Sequence, residues 1–418
     1  MMTTVEVFGS RVRQARLLRR MTGKAVLEQM SWKGPRQTRL EQAASTMLEV
    51  DELDRLVAVL RFPAAFFTAS PRSRVRVDDL LFRAPKATTV SEKEYLAAYA
   101  AAVGDFLDEL DSRWSLPPVK LPRLLSGAPL ADAAVVVRQR MGLAIDEPIN
   151  YLMYEAERAG VAVAVRVRRS RSTGQVAWSD TDEALPEKHV GYSTRVGEYG
   201  DRPLVVLRAL DSWERTRWTL AHEIGHLVLH SSGGVGEDQE LEASRFASEL
   251  LAPAEVLADE VPAVPTPLNL VPLKLKWGIS IGALARHLFE SRLMDKHRYE
   301  MLRRQLYTRV NSDTGHTWGK TEPGWDDREP ERPRLMAKWV EVCFGAKSAQ
   351  MLAPRRLIWP EDLLEDFLAG QRSAPPRRNR PSAGSAEVVV APEPQPQISA
   401  PRGGTVVDFE RFRNRSRT

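Results

Sequence analysis

Cysteine occurs once in the 418 residues, at Cys343. A single thiol cannot close an internal disulfide, and without a Cys-x-x-Cys pair there is no thiolate metal site, so any metal has to be held by His, Asp or Glu. Long apolar runs are also missing. No window approaches 18 uninterrupted apolar residues, and Met1 to Glu6 turns into basic sequence with no apolar stretch behind it. These absences argue against a helical membrane span and a secretory signal, and the expected location is the cytoplasm, with no membrane partner. What the chain does contain is ample core material: it is 43% hydrophobic and 28% charged, which excludes a mostly disordered protein. At roughly 100–200 residues per domain, its length implies two to four domains.

Charge is unevenly divided. Residues 1–74 hold 13 Lys+Arg against 7 Asp+Glu and residues 371–418 hold 9 against 4, so a total of +5 leaves −6 for residues 75–370. On sequence alone, only the two basic ends are plausible contacts for a polyanion.

The first seventy residues have helical periodicity. Phe8, Val12, Ala15, Leu18 and Met21 recur at three and four residues while Arg11, Arg13, Arg16, Arg19 and Arg20 stay polar, the pattern of one half-buried helix. Thr22 can cap a second helix to about Met30, Pro35 suits the first turn of a third to about Ala44, and Leu53, Leu56, Val57 and Leu60 mark a fourth. Ser91 and Glu94 have capping-box spacing before a long helix through Leu110, and two more helices are expected at about 131–141 and 149–158. The period then shortens: Val161 to Val167 and Leu204 to Leu207 read as strands, with weaker candidates at 175–178 and 189–193. Asp211 and Glu214 have the spacing to cap the next helix, which runs to about His230 before Gly233-Gly234, and another spans about 240–251. Further helices follow through Leu306, at 333–344 and at 361–368. From about Gln371 the composition turns to Pro, Arg, Ser and Ala, and a disordered tail is expected. The resulting division is 1–70, 71–150, 151–260, 261–370 and the tail at 371–418.

Three of the seven histidines fall within nine residues, His222-Glu223-Ile224-Gly225-His226-Leu227-Val228-Leu229-His230. At this composition a His-Glu-x-x-His arises by chance in about one chain in a hundred. On a helix His222, His226 and Glu223 lie within about 100° of one another, and Leu220, Ala221, Ile224, Leu227 and Val228 fill the opposite face. Two imidazoles one turn apart are what zinc needs, together with a third ligand and an open position. Downstream, Ala243, Phe246, Ala247 and Leu250 form a buried stripe that leaves Glu242 and Glu249 on one flank, either of which can face the metal. Glu237, Asp238 and Glu240 sit in or beside a glycine-rich loop and read as solvated charges.

His222-Glu223-Ile224-Gly225-His226 followed by Glu242-Ala243-Ser244-Arg245-Phe246-Ala247-Ser248-Glu249-Leu250-Leu251-Ala252-Pro253 resembles the ImmA/IrrE metallopeptidases. The likeness extends over about residues 75–345, with strong motifs at 216–253. It implies a small α+β zincin-like core, a Zn2+ cofactor, Glu242 as the third ligand beside His222 and His226, and Glu223 as the catalytic base of an endopeptidase acting on a repressor-type protein. His230, on the same helix face, and Tyr192, shortly before the helix, are candidates for a supporting or transition-state role.

Residues 7–67 resemble the phage-repressor-like helix-turn-helix family often called XRE. Phe8–Arg20 corresponds to its first helix, Met21–Met30 to the second, Pro35–Gln42 to the recognition helix, and Phe62-Pro63-Ala64-Ala65-Phe66-Phe67 to its terminal motif. That likeness implies a four-to-five-helix bundle that contacts double-stranded DNA through Lys33, Arg36, Gln37 and Arg39. The expected protein is therefore multidomain and mainly α: a DNA-binding head joined to a zinc endopeptidase and ending in a disordered tail. Two other outcomes fit the same sequence, a transcription factor whose peptidase-like part senses without turnover and a toxin–antitoxin component. The spacing does not set the oligomeric state, with a dimer one option.

Overall fold

The computed structural model describes residues 3–81, 88–124, 127–166, 168–169, 176–177, 191–230, 236–325, 327–345, 348–352 and 357–371. The chain divides between Ala374 and Pro375, and every described residue lies in the first unit. The tail beyond Gln371 and the Gly233-Gly234 break lie outside the described residues.

The N-terminal region contains β1 (Thr4–Val7), α1 (Gly9–Leu18), α2 (Gly23–Gln29), α3 (Arg36–Gln42), β2 (Thr46–Glu49), α4 (Val50–Leu60) and α5 (Ala64–Thr68). The Thr22 hydroxyl accepts from Ala25 N at 3.1 Å, making the expected cap of α2. The antiparallel pair β1–β2, with Thr4 opposite Glu49 and Val7 opposite Thr46, is absent from the helical expectation. Each strand has four residues and buries one side chain, Val7 or Leu48, which is too little alternation to register as a period.

The arginines of the first helix do not form a free basic face. Arg11 is buried and pairs with Asp105 at 2.5 Å, Arg13 pairs with Glu94 at 2.7 Å and Arg20 with Glu92 at 2.5 Å, all on α6 (Val90–Arg113). Arg16 pairs with Glu41 within the head at 2.6 Å, and Arg19 with Asp362 near the C-terminal end of the described chain. Much of the charge separated along the sequence is thus recombined in space, and these five arginines are engaged within the chain.

After α6 come α7 (Leu130–Met141) and α8 (Leu152–Arg158), then β3 (Ala162–Val165), β4 (Arg168–Arg169), β5 (Val176–Ala177), β6 (Gly191–Val196) and β7 (Arg202–Leu207). One sheet has the order β3-β7-β6, with β3 parallel and β6 antiparallel to β7. All of β3 and nearly all of β7 are buried because both faces of this sheet are covered, which explains their uninterrupted apolar sequence. Ala162, Ala164, Tyr192, Leu204 and Val206 join the core that includes Phe106 and Leu107 of α6. Val163, Val205 and Leu207 join the one that includes Leu220, Ile224 and Leu227. The outer edge of β6 is covered by the chain at Leu81, whose N–H and carbonyl exchange hydrogen bonds with Ser193 at 2.8 and 3.2 Å.

The rest is helical: α9 (Trp213–Leu229), α10 (Glu237–Leu251), α11 (Ala254–Glu260), α12 (Val271–Trp277), α13 (Ile281–Glu290), α14 (Lys296–Thr308), α15 (Leu335–Phe344), α16 (Ala349–Leu352) and α17 (Glu361–Leu368). The chain is mostly helical with small sheets, and none of its described helices is long and apolar enough to cross a membrane. The core under the head continues into the last helices, with the rings of Phe66 and Trp359 at 5.4 Å and those of Phe106 and Phe367 at 5.2 Å.

Candidate metal centre

The site is built on α9. Its N-cap is Ser212, whose hydroxyl accepts from Arg215 N at 3.3 Å, and not Asp211, which instead accepts from Ser212 N at 2.7 Å. One face of α9 packs on the sheet through Leu220, Ile224 and Leu227, so its polar face is turned toward α10. Gly225 sets how closely those helices cross: a Cβ there would stand 2.9 Å from the Phe246 ring and 3.2 Å from the Ala243 backbone.

That close crossing brings one carboxylate of α10 onto the histidine pair. Nε2 of His222 and Nε2 of His226 are 3.0 Å apart, and the Glu240 carboxylate lies 3.5 Å from the first and 3.4 Å from the second. One ligand atom from each residue fits within 4.8 Å of the others. Donors about 2.0–2.2 Å from one tetrahedral ion stand roughly 3.3–3.6 Å apart, which the two carboxylate distances match, while the two nitrogens at 3.0 Å are slightly closer. Burial alone would raise the Glu240 carboxyl, but hydrogen bonding and charge from His222 and His226 hold it well below the usual carboxylate range. Burial pushes His226 down to about 4, which favours the neutral ring that a metal requires.

Glu242, the expected third ligand, is placed elsewhere: its Oε2 lies 3.1 Å from Nε2 of His230. The helical period explains this correction. Around α10, Glu240 borders the buried stripe on the Ala247 side, whereas Glu242 and Glu249 border it on the other, about 160–200° away. Glu240 also belongs to the first turn of α10, which begins at Glu237, and not to a loop.

Glu223 is buried, and its Oε2 has no hydrogen-bond partner among the described residues. Burial pushes its carboxyl up to about 7 against the opposing attraction of His222. Gly191 brings β6 alongside, since a Cβ there would be 3.3 Å from Oε1 of Glu223. Tyr192, the next residue, points to the opposite face of the sheet, where its hydroxyl donates to the Leu96 carbonyl at 3.0 Å. Strand alternation therefore removes it from the site, correcting its candidacy for a supporting or transition-state role. His230 does reach the cluster, with Nδ1 2.9 Å from Nδ1 of His226.

Two contributors were not anticipated. The Ser244 hydroxyl donates to the Glu240 carbonyl at 2.7 Å and lies 3.3 Å from Nδ1 of His222. Trp218, one turn before His222, stacks on its ring with centroids 5.2 Å apart. The i to i+4 spacing of Trp218 and His222 was the available sequence signal.

Of the candidate DNA-contact residues, Lys33 and Arg39 are exposed. Arg36 is half exposed and pairs with Glu52 at 2.5 Å. Gln37 is buried and its amide donates to Glu41, the carboxylate that also holds Arg16, so it is not available to read a base edge. This corrects its assignment: Gln37 lies on the inner side of α3 with Leu40.

Residues 181–289 match the family model described as the IrrE N-terminal-like domain, Peptidase_M78. The match includes α9 and α10 and points to a metallopeptidase-type domain. No curated protein matches the chain.

Proposed function

We propose that the chain is a zinc-dependent endopeptidase of the ImmA/IrrE kind, with His222, His226 and Glu240 holding the metal and Glu223 acting as general base. The observation that carries this is the convergence of two imidazole nitrogens and one carboxylate beside a buried glutamate on the same helix. Both ligand rings have a partner at Nδ1, Ser244 for His222 and His230 for His226, which leaves Nε2 of each for the metal. A zinc ion bound there supplies a Lewis acid for a peptide carbonyl and makes water more acidic. Glu223 accepts a proton from the attacking water at Oε2 and returns it to the leaving amine as the C–N bond breaks. Burial pushes its carboxyl up, which strengthens it as a base.

The family resemblance supplies the substrate class, a repressor-type protein cleaved in the cytoplasm. The N-terminal helices are the proposed DNA contact, through Lys33, Arg39 and the half-exposed Arg36. Metal analysis of the full chain, with co-expression of a repressor-type protein as the candidate substrate, tests the enzymatic reading. Wild type and Glu223→Gln should both carry about one zinc per chain, and only wild type should cleave the partner. Equal cleavage by the variant, or a wild type that does not bind zinc, would overturn it.

A further inference from the structure

We infer that His230 and Glu242 form a two-step hydrogen-bond chain that fixes the tautomer of His226 and thereby positions it as a zinc ligand. The inference rests on the metal site proposed above. It follows from proton bookkeeping at three contacts: Glu242 Oε2 to His230 Nε2 at 3.1 Å, His230 Nδ1 to His226 Nδ1 at 2.9 Å, and His226 Nε2 facing His222 Nε2 at 3.0 Å and Glu240 at 3.4 Å.

The chain can be read from either end. At the metal end, His226 presents Nε2 to the other donors, so its lone pair belongs there and its single proton sits on Nδ1. At the outer end, the Glu242 carboxylate oxygen faces His230 Nε2 at 3.1 Å and accepts from it, so the proton of the His230 ring sits on Nε2 and its Nδ1 is a lone pair. The two deductions are independent and meet at the Nδ1 to Nδ1 contact with one proton and one lone pair. His226 therefore donates to His230, and His230 donates to Glu242. Reversing either ring would place two protons or two lone pairs face to face at 2.9 Å.

The chain also explains why His230 and Glu242 lie where they do. His230 is the residue just past the end of α9, one turn beyond His226, and its side chain is only 3% exposed. Glu242 is two residues beyond Glu240 on α10, which turns it to the other flank of that helix. One helix thus supplies the third ligand, the Ser244 acceptor for His222, and the carboxylate that orients the outer partner of His226. His230 and Glu242 touch no reacting atom; both are positioning residues.

The test measures zinc affinity by chelator competition and 15N spectra of the histidine rings in the zinc-loaded full chain. His230→Ala should weaken zinc binding by about 10–100-fold, and Glu242→Gln, which keeps an acceptor but loses the charge, should weaken it less. Wild type should give a protonated Nδ1 at His226 coupled across the hydrogen bond to an unprotonated Nδ1 at His230. The coupling should vanish in His230→Ala while the proton stays on Nδ1 of His226, and an altered fold would leave Glu242→Gln, at a half-exposed position, as the deciding variant. Unchanged affinity in both variants, or a proton on Nδ1 of His230, overturns the chain while leaving the metal site standing. A wild type that does not bind zinc overturns both.

Discussion

Glu240 and Glu242 are two residues apart, yet they occupy different positions in the chemistry. The first stands 3.4–3.5 Å from both histidine nitrogens and the second is half exposed against His230. Glu240→Ala should therefore remove one of three protein ligands and leave the chain unable to retain zinc through gel filtration. Glu242→Ala should retain it with an affinity reduced by about 10–100-fold. Metal content after desalting separates the two, and a zinc-free Glu242→Ala beside a zinc-loaded Glu240→Ala would restore the assignment expected from the motif. His222, Glu223 and His226 were legible because their spacing falls on one helix face. Which carboxylate meets the two imidazoles was not, because spacing shows that α10 has a buried stripe but not which of its two edges turns toward α9. Gly225 sets the close approach, and only the packed pair of helices reveals it.

At the scale of elements, the long helices were legible from their period, although Thr89 and Ser212 cap α6 and α9 in place of Ser91 and Asp211; the short strands β1 and β2 were not, since four residues with one buried side chain carry almost no signal. Element α3 shows a further limit. A seven-residue helix can be located from its sequence, but its inner face is set by what lies beneath it, here Glu41 held by Arg16, and that placed Gln37 inside. Only the outer side of α3 and the turn before it remain for a phosphate backbone. The double variant Lys33→Glu, Arg39→Glu should weaken binding of the full chain to duplex DNA and lower the slope of log affinity against log salt by about 2. Fluorescence anisotropy at several salt concentrations measures both. An unchanged slope, or a wild type without affinity for DNA, would remove the DNA contact from this helix.

For the whole molecule, the basic head and acidic middle found by summing charges are real, but their sum hides the pairing. Arg11 is buried with Asp105, donates to the carbonyls of Ala69 and Ser70 at 3.1 Å, and lies 4.8 Å from the centre of the Phe66 ring. Asp105 in turn accepts from the backbone of Arg72 and Ser73 at 2.8 and 2.6 Å. A buried pair of this kind is costly to break from one side, because the carboxylate stays behind in a site with low dielectric. Arg13 and Glu94 make a geometrically similar pair at 2.7 Å, but the Arg13 side chain is half exposed and solvent screens the pair. Arg11→Met should thus cost about 3–5 kcal/mol of unfolding free energy. Arg13→Met should cost less than about 1 kcal/mol. Urea denaturation of the full chain, followed by tryptophan fluorescence, reads both values. Similar small losses at the two positions would mean that the apolar contacts of the head with α6 and Trp359, and not the Arg11–Asp105 pair, hold it in place.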